Sequence, residues 1–194
     1  MTPAAIGLRV HSGWAALVVV AGSPRSPSVL DRRRIEIADR AIPGSVQPYH
    51  AARELGLNKA ESFLKRCADS SCSLARAALE KAIDDLSASH QVIGCGLLLG
   101  SGRPMTTLEA TLGSHPAIHT AEGEFFREAL IQATRECGLS SKGVREKELY
   151  KVAAARFGLP SGDLEHRMDD LGKTLGPPWT QDQKCAALAG WLAM

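Results

Sequence analysis

The segment SHPAIHTAEGE, residues 114–124, gathers two histidines and two acids: His115, His119, Glu122 and Glu124. Imidazole and carboxylate are donor types that hold metal ions. Pro116 argues against His115 and His119 sharing a helical turn, so the H-E-x-x-H geometry is not expected. They could still converge on a cation from a loop, and no metal ligand set is assigned. In GSGRP, 100–104, glycines following an apolar run could let backbone N–H groups approach a phosphate, with Arg103 adding charge. The pattern G-x-x-x-x-G-K-[ST] is missing, and a tight turn accounts for the glycines. His11 beside Ser12 has the types of a base and a nucleophile, but neighbouring strand residues project to opposite faces.

The positive charge is concentrated early. Residues 1–40 hold six arginines (Arg9, Arg25, Arg32, Arg33, Arg34 and Arg40) against Asp31, Glu36 and Asp39. On one ridge, Arg9, Arg32, Arg33 and Arg34, together with Arg103, could grip phosphates. The alternation of a strand sends members of the RRR run to opposite faces, which favours a solvated edge strand instead. The whole chain carries a net charge of only +2 over 194 residues, with a pI near 8.3. That is too mild to mark a nucleic-acid binder by itself.

Composition is that of an ordinary globular protein, 44% apolar and 23% charged, and one domain spanning residues 1–194 is expected. No window approaches the roughly 18–20 apolar residues of a membrane span. The N-terminus lacks the features of a signal peptide, so a cytoplasmic location is expected, away from membranes. The five cysteines form no C-x-x-C pair and are expected to be reduced and structural.

The elements that must position these residues are strands at about 5–10, 14–21 and 28–38, joined by hairpins at Ser12-Gly13 and GSPRSP. Helical spacing covers about 48–87, with a break expected at the serines around Cys72. A strand at 91–100 follows, then a helix at about 121–137 capped by Thr120 and stopped by Gly138. A short strand is expected near 148–153, although Ala153–Ala155 could equally start a helix. Helices at about 162–174 and from Thr180 or Asp182 onward complete the chain. The order predicts an α/β fold, a mixed five-stranded sheet ordered 3-2-1-4-5 with helices on both faces.

With AIGLRVHSGWAALVVV at its start, QVIGCGLLLG in its middle and the Ala-rich helix at its end, the chain resembles the ribonuclease H-like superfamily. It is most similar to the RuvC-type Holliday-junction resolvases, over nearly its whole length. The resemblance implies four carboxylates holding two divalent cations for phosphodiester cleavage: one at the end of strand one, one at the end of strand four, and two opening the last helix. Here the strand-one position is Arg9 (or Leu8 or Val10), and His11 follows. Strand four ends in Leu99, Gly100 and Ser101. The last helix offers Asp182 with Cys185, or Gln181 with Lys184. At most one carboxylate of the set survives.

An arginine at that place puts fixed positive charge where the family places metal; it could pair with Asp182, receive an anion, or reach solvent. The expectation is a catalytically degenerate RuvC-like binding or scaffold module, for structured nucleic acid, with no cofactor. One alternative is a Mg²⁺- or Mn²⁺-dependent nuclease using displaced ligands such as Asp182, Glu109 or Glu148. Another is a nucleotide-binding relative of the actin-like ATPases. A homodimer through Trp179 and Trp191 is a further possibility, against the reading that both tryptophans fill the core.

Overall fold

The computed structural model describes residues 1–102 and 107–194. Its first third is a meander: β1 (Thr2–His11), β2 (Trp14–Ser23) and β3 (Ser26–Glu36). The hairpin between β1 and β2 turns through Gly13, whose φ of 80° suits glycine, and sets His11 opposite Trp14. The chain continues through α1 (Pro48–Arg53) and α2 (Leu57–Asp84) and returns as β4 (His90–Leu99), parallel to β1. After α3 (Leu108–Leu112) and α4 (His115–Glu136), β5 (Ser140–Arg145) pairs in parallel with β4. α5 (Leu149–Phe157), α6 (Ser161–Leu175) and α7 (Gln181–Leu192) follow. The sheet order is β3-β2-β1-β4-β5, as the sequence predicts.

Three element boundaries differ from the expectations. The last strand is 140–145 rather than 148–153. The segment SSKGVR buries only Val144, so it carries no apolar alternation to read, whereas Leu149 and Ala153 are buried one turn apart and form a helix. The helical region from 48 breaks at Gly56 (φ 74°), not at the serines around Cys72. There the Ser73 hydroxyl bonds the Asp69 carbonyl one turn back and that of Ser70 reaches Asp39, so α2 runs on. Finally, α4 begins at His115, six residues before the expected start. Pro116 sits in its first turn, where a missing N–H costs nothing.

Alternating strand residues fill two layers. Ile6, Leu8, Leu17 and Val19 pack with Leu79, Phe126 and Leu130 from α2 and α4. Ala5, Val18 and Val20 face α7, with Leu149, Leu164 and Met168 beyond. The five cysteines are free, and burial pushes the Cys95 thiol up to about 12. Among the described residues no helix is long and apolar enough to cross a membrane.

The second layer is unusually close. A Cβ on Gly7 would lie 1.7 Å from the Ala186 carbonyl oxygen, and one on Gly96 would lie 1.9 Å from that of Ala189. Glycines in β1 and β4 therefore let α7 rest backbone-to-backbone on the sheet. Trp191, 2% exposed, pins its far end by donating from Nε1 to the Ala21 carbonyl at 2.9 Å. This seating delivers the first turn of α7 to the end of β1. Gly7→Val or Gly96→Val should therefore cost about 3 kcal/mol or more in urea denaturation. Gly162→Ala, which meets nothing within 4 Å, should be neutral or stabilising by up to about 1 kcal/mol.

Candidate functional site

β1 ends in Arg9, Val10 and His11. Arg9 is 18% exposed at its side chain and lies between two acids. Its Nη1 donates to Asp182 Oδ1, and its Nη2 donates to Glu146 Oε1 at 2.6 Å. His11 Nε2 lies 2.8 Å from the same Asp182 oxygen. Burial works against the Arg9 charge, but the hydrogen bond and field of Glu146, with the charges near Cys185 and Asp182, outweigh it. The guanidinium pKa is therefore raised.

Asp182 is held firmly. It lies in the first turn of α7, where an acid is favoured by the positive helix end. Its N–H donates to the Thr180 hydroxyl, and Gln183 Oε1 accepts from the Thr180 N–H at 2.8 Å, which closes a capping box. Glu146 begins the 3₁₀ turn just beyond β5. His11 is braced from the other side by stacking on Trp14, with ring centroids 4.3 Å apart, and the Arg34 guanidinium lies 4.0 Å from the Trp14 ring. The cluster thus joins β1, β2, β3, β5 and α7 at one end of the sheet.

No family model matches the sequence, and no curated protein matches it. Solved structures do. RuvC from Thermus thermophilus is 10% identical, with a TM-score of 0.55 over 98% of this chain and 92% of that one. T. thermophilus RuvC in complex with a Holliday junction substrate is 11% identical, with a TM-score of 0.53 over 97% and 90%. The fold is that of RuvC.

On this RuvC fold, the ends of β1 and β4 and the start of α7 do converge, as the resemblance implies, but what they bring together is an arginine-centred network. At the end of β4 a second arginine appears. A Cβ on Gly100 would lie 2.8 Å from Arg127 Nη1, so the guanidinium of Arg127, reaching from α4, fills the space a side chain there would need. Arg127 is 16% exposed, donates to Glu124 at 2.6 Å, and leaves its Nε buried without a partner among the described residues. Ser101 is exposed nearby. Of the α7 positions, Cys185 is buried and accepts a contact from Gln181 Nε2 at 3.1 Å; Lys184 instead pairs with Asp169.

The remaining candidates are dispersed. Arg32, Arg33 and Arg34 do not form one ridge, because β3 alternates. Arg32 donates to the carbonyls of Leu175, Gly176 and Pro178 at the end of α6. Arg33 turns to the opposite face and pairs with Asp31 and Asp85. Arg34 pairs with Glu36, which also lies near Arg40, and Arg25 caps α5 through the Phe157 and Gly158 carbonyls. Arg103 lies outside the described residues. Glu109 and Glu148 are exposed and take no part in the Arg9 network. Trp191 is core, and Trp179 is half-buried with its Nε1 donating to the Met168 carbonyl.

The histidine–acid set also needs correction. His115 and His119 share a helix after all, and Glu124 belongs to Arg127, while Glu122 turns to His50 on α1. Sequence reasoning missed Arg127, Glu146 and His50. Glu146 and His50 act through partners 137 and 72 residues away, and Arg127, although it bonds Glu124 three residues back, matters here for the space it fills beside Gly100.

The Arg9–Asp182 contact is testable by a double-mutant cycle with Arg9→Ala and Asp182→Ala, read by denaturation. A coupling of about 1–3 kcal/mol is expected for this partly buried, hydrogen-bonded pair. A value under about 0.3 kcal/mol would rank it with exposed surface pairs.

Proposed function

We propose that this chain is a RuvC-fold binding module for structured nucleic acid in which fixed guanidinium charge stands in the place of the two-metal nuclease centre. The observation that carries the reading is Arg9 held between Asp182 and Glu146 at the end of β1. Two-metal phosphodiester cleavage needs several carboxylates converging on hard cations. Here the one carboxylate of the α7 turn already accepts from Arg9 and contacts His11. Arg9 would also repel a divalent ion brought to the same oxygens.

Support for a nucleic-acid partner comes from the fold and from the neighbourhood of the site. A RuvC of this fold is known in complex with a Holliday junction substrate. In β5 and the turn that follows it, Lys142, Arg145 and Lys147 are exposed beside the Glu146 that binds Arg9. None of the three enters an ion pair among the described residues. They offer phosphate contacts at the same end of the sheet, in place of the β3 arginines that are spent on internal partners.

Electrophoretic mobility shifts on four-way junctions, duplexes and single strands, each with Mg²⁺ or Mn²⁺ present, test the reading. The expected outcome is junction binding that weakens steeply with salt, with the strands left intact. Arg145→Ala and Lys147→Ala should each weaken binding and lower the salt slope by about 1. Absence of binding to every nucleic acid removes the proposal. Strand cleavage lost in Asp182→Asn would instead establish a nuclease with displaced ligands, and stabilisation by ATP with Mg²⁺ would point to nucleotide binding.

A further inference from the structure

Half of the chain's six histidines meet at one place that the Arg9 network does not use. His115 and His119 lie one turn apart at the start of α4, with their Nε2 atoms 3.1 Å from each other. His50, on α1, brings its ring centroid to 5.5 Å from that of His115 and 5.0 Å from that of His119. One ring nitrogen from each of the three falls within 4.8 Å of the others.

Two nitrogens bound to one tetrahedral zinc at about 2.0–2.1 Å sit roughly 3.3 Å apart, so the α4 pair already has close to the spacing of a chelate.

The third ligand is prepared by a buried carboxylate. Glu122 is 3% exposed, and its Oε1 lies 2.9 Å from His50 Nδ1 while also accepting the His50 backbone N–H at 3.2 Å. A carboxylate on Nδ1 fixes the proton there and leaves the Nε2 lone pair for a cation, which is how ligating histidines are commonly oriented and made more basic. Burying an acid is costly unless it has such a task, and its only hydrogen bonds among the described residues are those to His50. Three imidazoles packed this closely gain only one N–H···N bond by themselves. A cation would satisfy all three lone pairs at once.

We propose that His50, His115 and His119 form a three-histidine site for a first-row transition-metal ion of the zinc class, with Glu122 as the positioning residue and a fourth coordination position open to water. An all-imidazole set suits Zn²⁺, Co²⁺, Ni²⁺ or Cu²⁺ and selects against Mg²⁺, which requires oxygen ligands. His115 and His119 are exposed, so an ion can enter from solvent. The site clasps the six-residue α1 to the start of α4. Both pack with α2.

The test uses the full chain without a histidine tag, stripped by chelator and titrated with Co²⁺. One equivalent should bind with the visible absorption of four- or five-coordinate cobalt, and Zn²⁺ should displace it. His115→Gln and His119→Gln, both at exposed positions, should each weaken Zn²⁺ binding by about 100-fold or more, and Glu122→Gln by about 10- to 100-fold. A wild-type measurement stands beside the variants. Of the six histidine imidazole signals in an NMR spectrum, three should shift on adding one equivalent of Zn²⁺ and three should not. Failure of the folded chain to take up a stoichiometric ion would overturn the proposal. So would uptake that His115→Gln and His119→Gln leave unchanged, or Zn²⁺ shifts at His11, His90 or His166 instead. None of these outcomes depends on nucleic-acid binding.

Discussion

The guanidinium of Arg9 decides what the end of this sheet can do. It is placed by β1 and held by Glu146 from beyond β5 and Asp182 from α7, with His11 contacting the same aspartate. A permanently charged, planar group with fixed donor directions orders the acids around it. Half-burial strengthens the pair, because neighbouring water screens less than it would at an open surface. The interaction in turn relies on α7 lying against Gly7 and Gly96, a backbone approach that no larger residue at those positions permits. Strand-end chemistry and glycine packing are thus one arrangement, with Trp191 and the Thr180 capping box fixing the two ends of the helix that links them.

The same end of the sheet gathers a second guanidinium against Gly100. Arg127 fills the space that a side chain at position 100, just beyond β4, would need. Each guanidinium is matched by nearby acids, Glu124 for Arg127 and Asp182 with Glu146 for Arg9. Two guanidinium charges thus face three carboxylates, each of which is paired with an arginine. The histidine cluster between α1 and α4 is of a different kind, three imidazoles with a single buried carboxylate hydrogen-bonded to one of them.

Much of the fold was legible because its signals are local. The continuous apolar run of β2, the hairpin at Gly13 and the glycine-rich β4 give the meander and the crossover, and from them the sheet order. β5 was not legible, since SSKGVR is an edge strand that buries one residue and offers no period to detect. Pro116 misled for a specific reason. Its ring is a helix breaker in an interior but fits the first turn, and Ser114 before it, the N-cap residue, was the available signal of a start at His115 although its side chain makes no capping bond. At the site, Arg9 facing Asp182 was among the pairings its residue types allow. The contributions of Glu146, Arg127 and His50 depend on contacts between distant segments, which residue order alone does not encode.

Manganese is the most direct probe of the arginine-centred site, because it scatters anomalously and substitutes for magnesium at carboxylate centres. Diffraction at the manganese edge from crystals grown or soaked in Mn²⁺ should show no ion between Asp182, Glu146 and the ends of β1 and β4, with Arg9 still bonded to both acids. Two Mn²⁺ peaks bridged by those carboxylates, with Arg9 turned away, would contradict it.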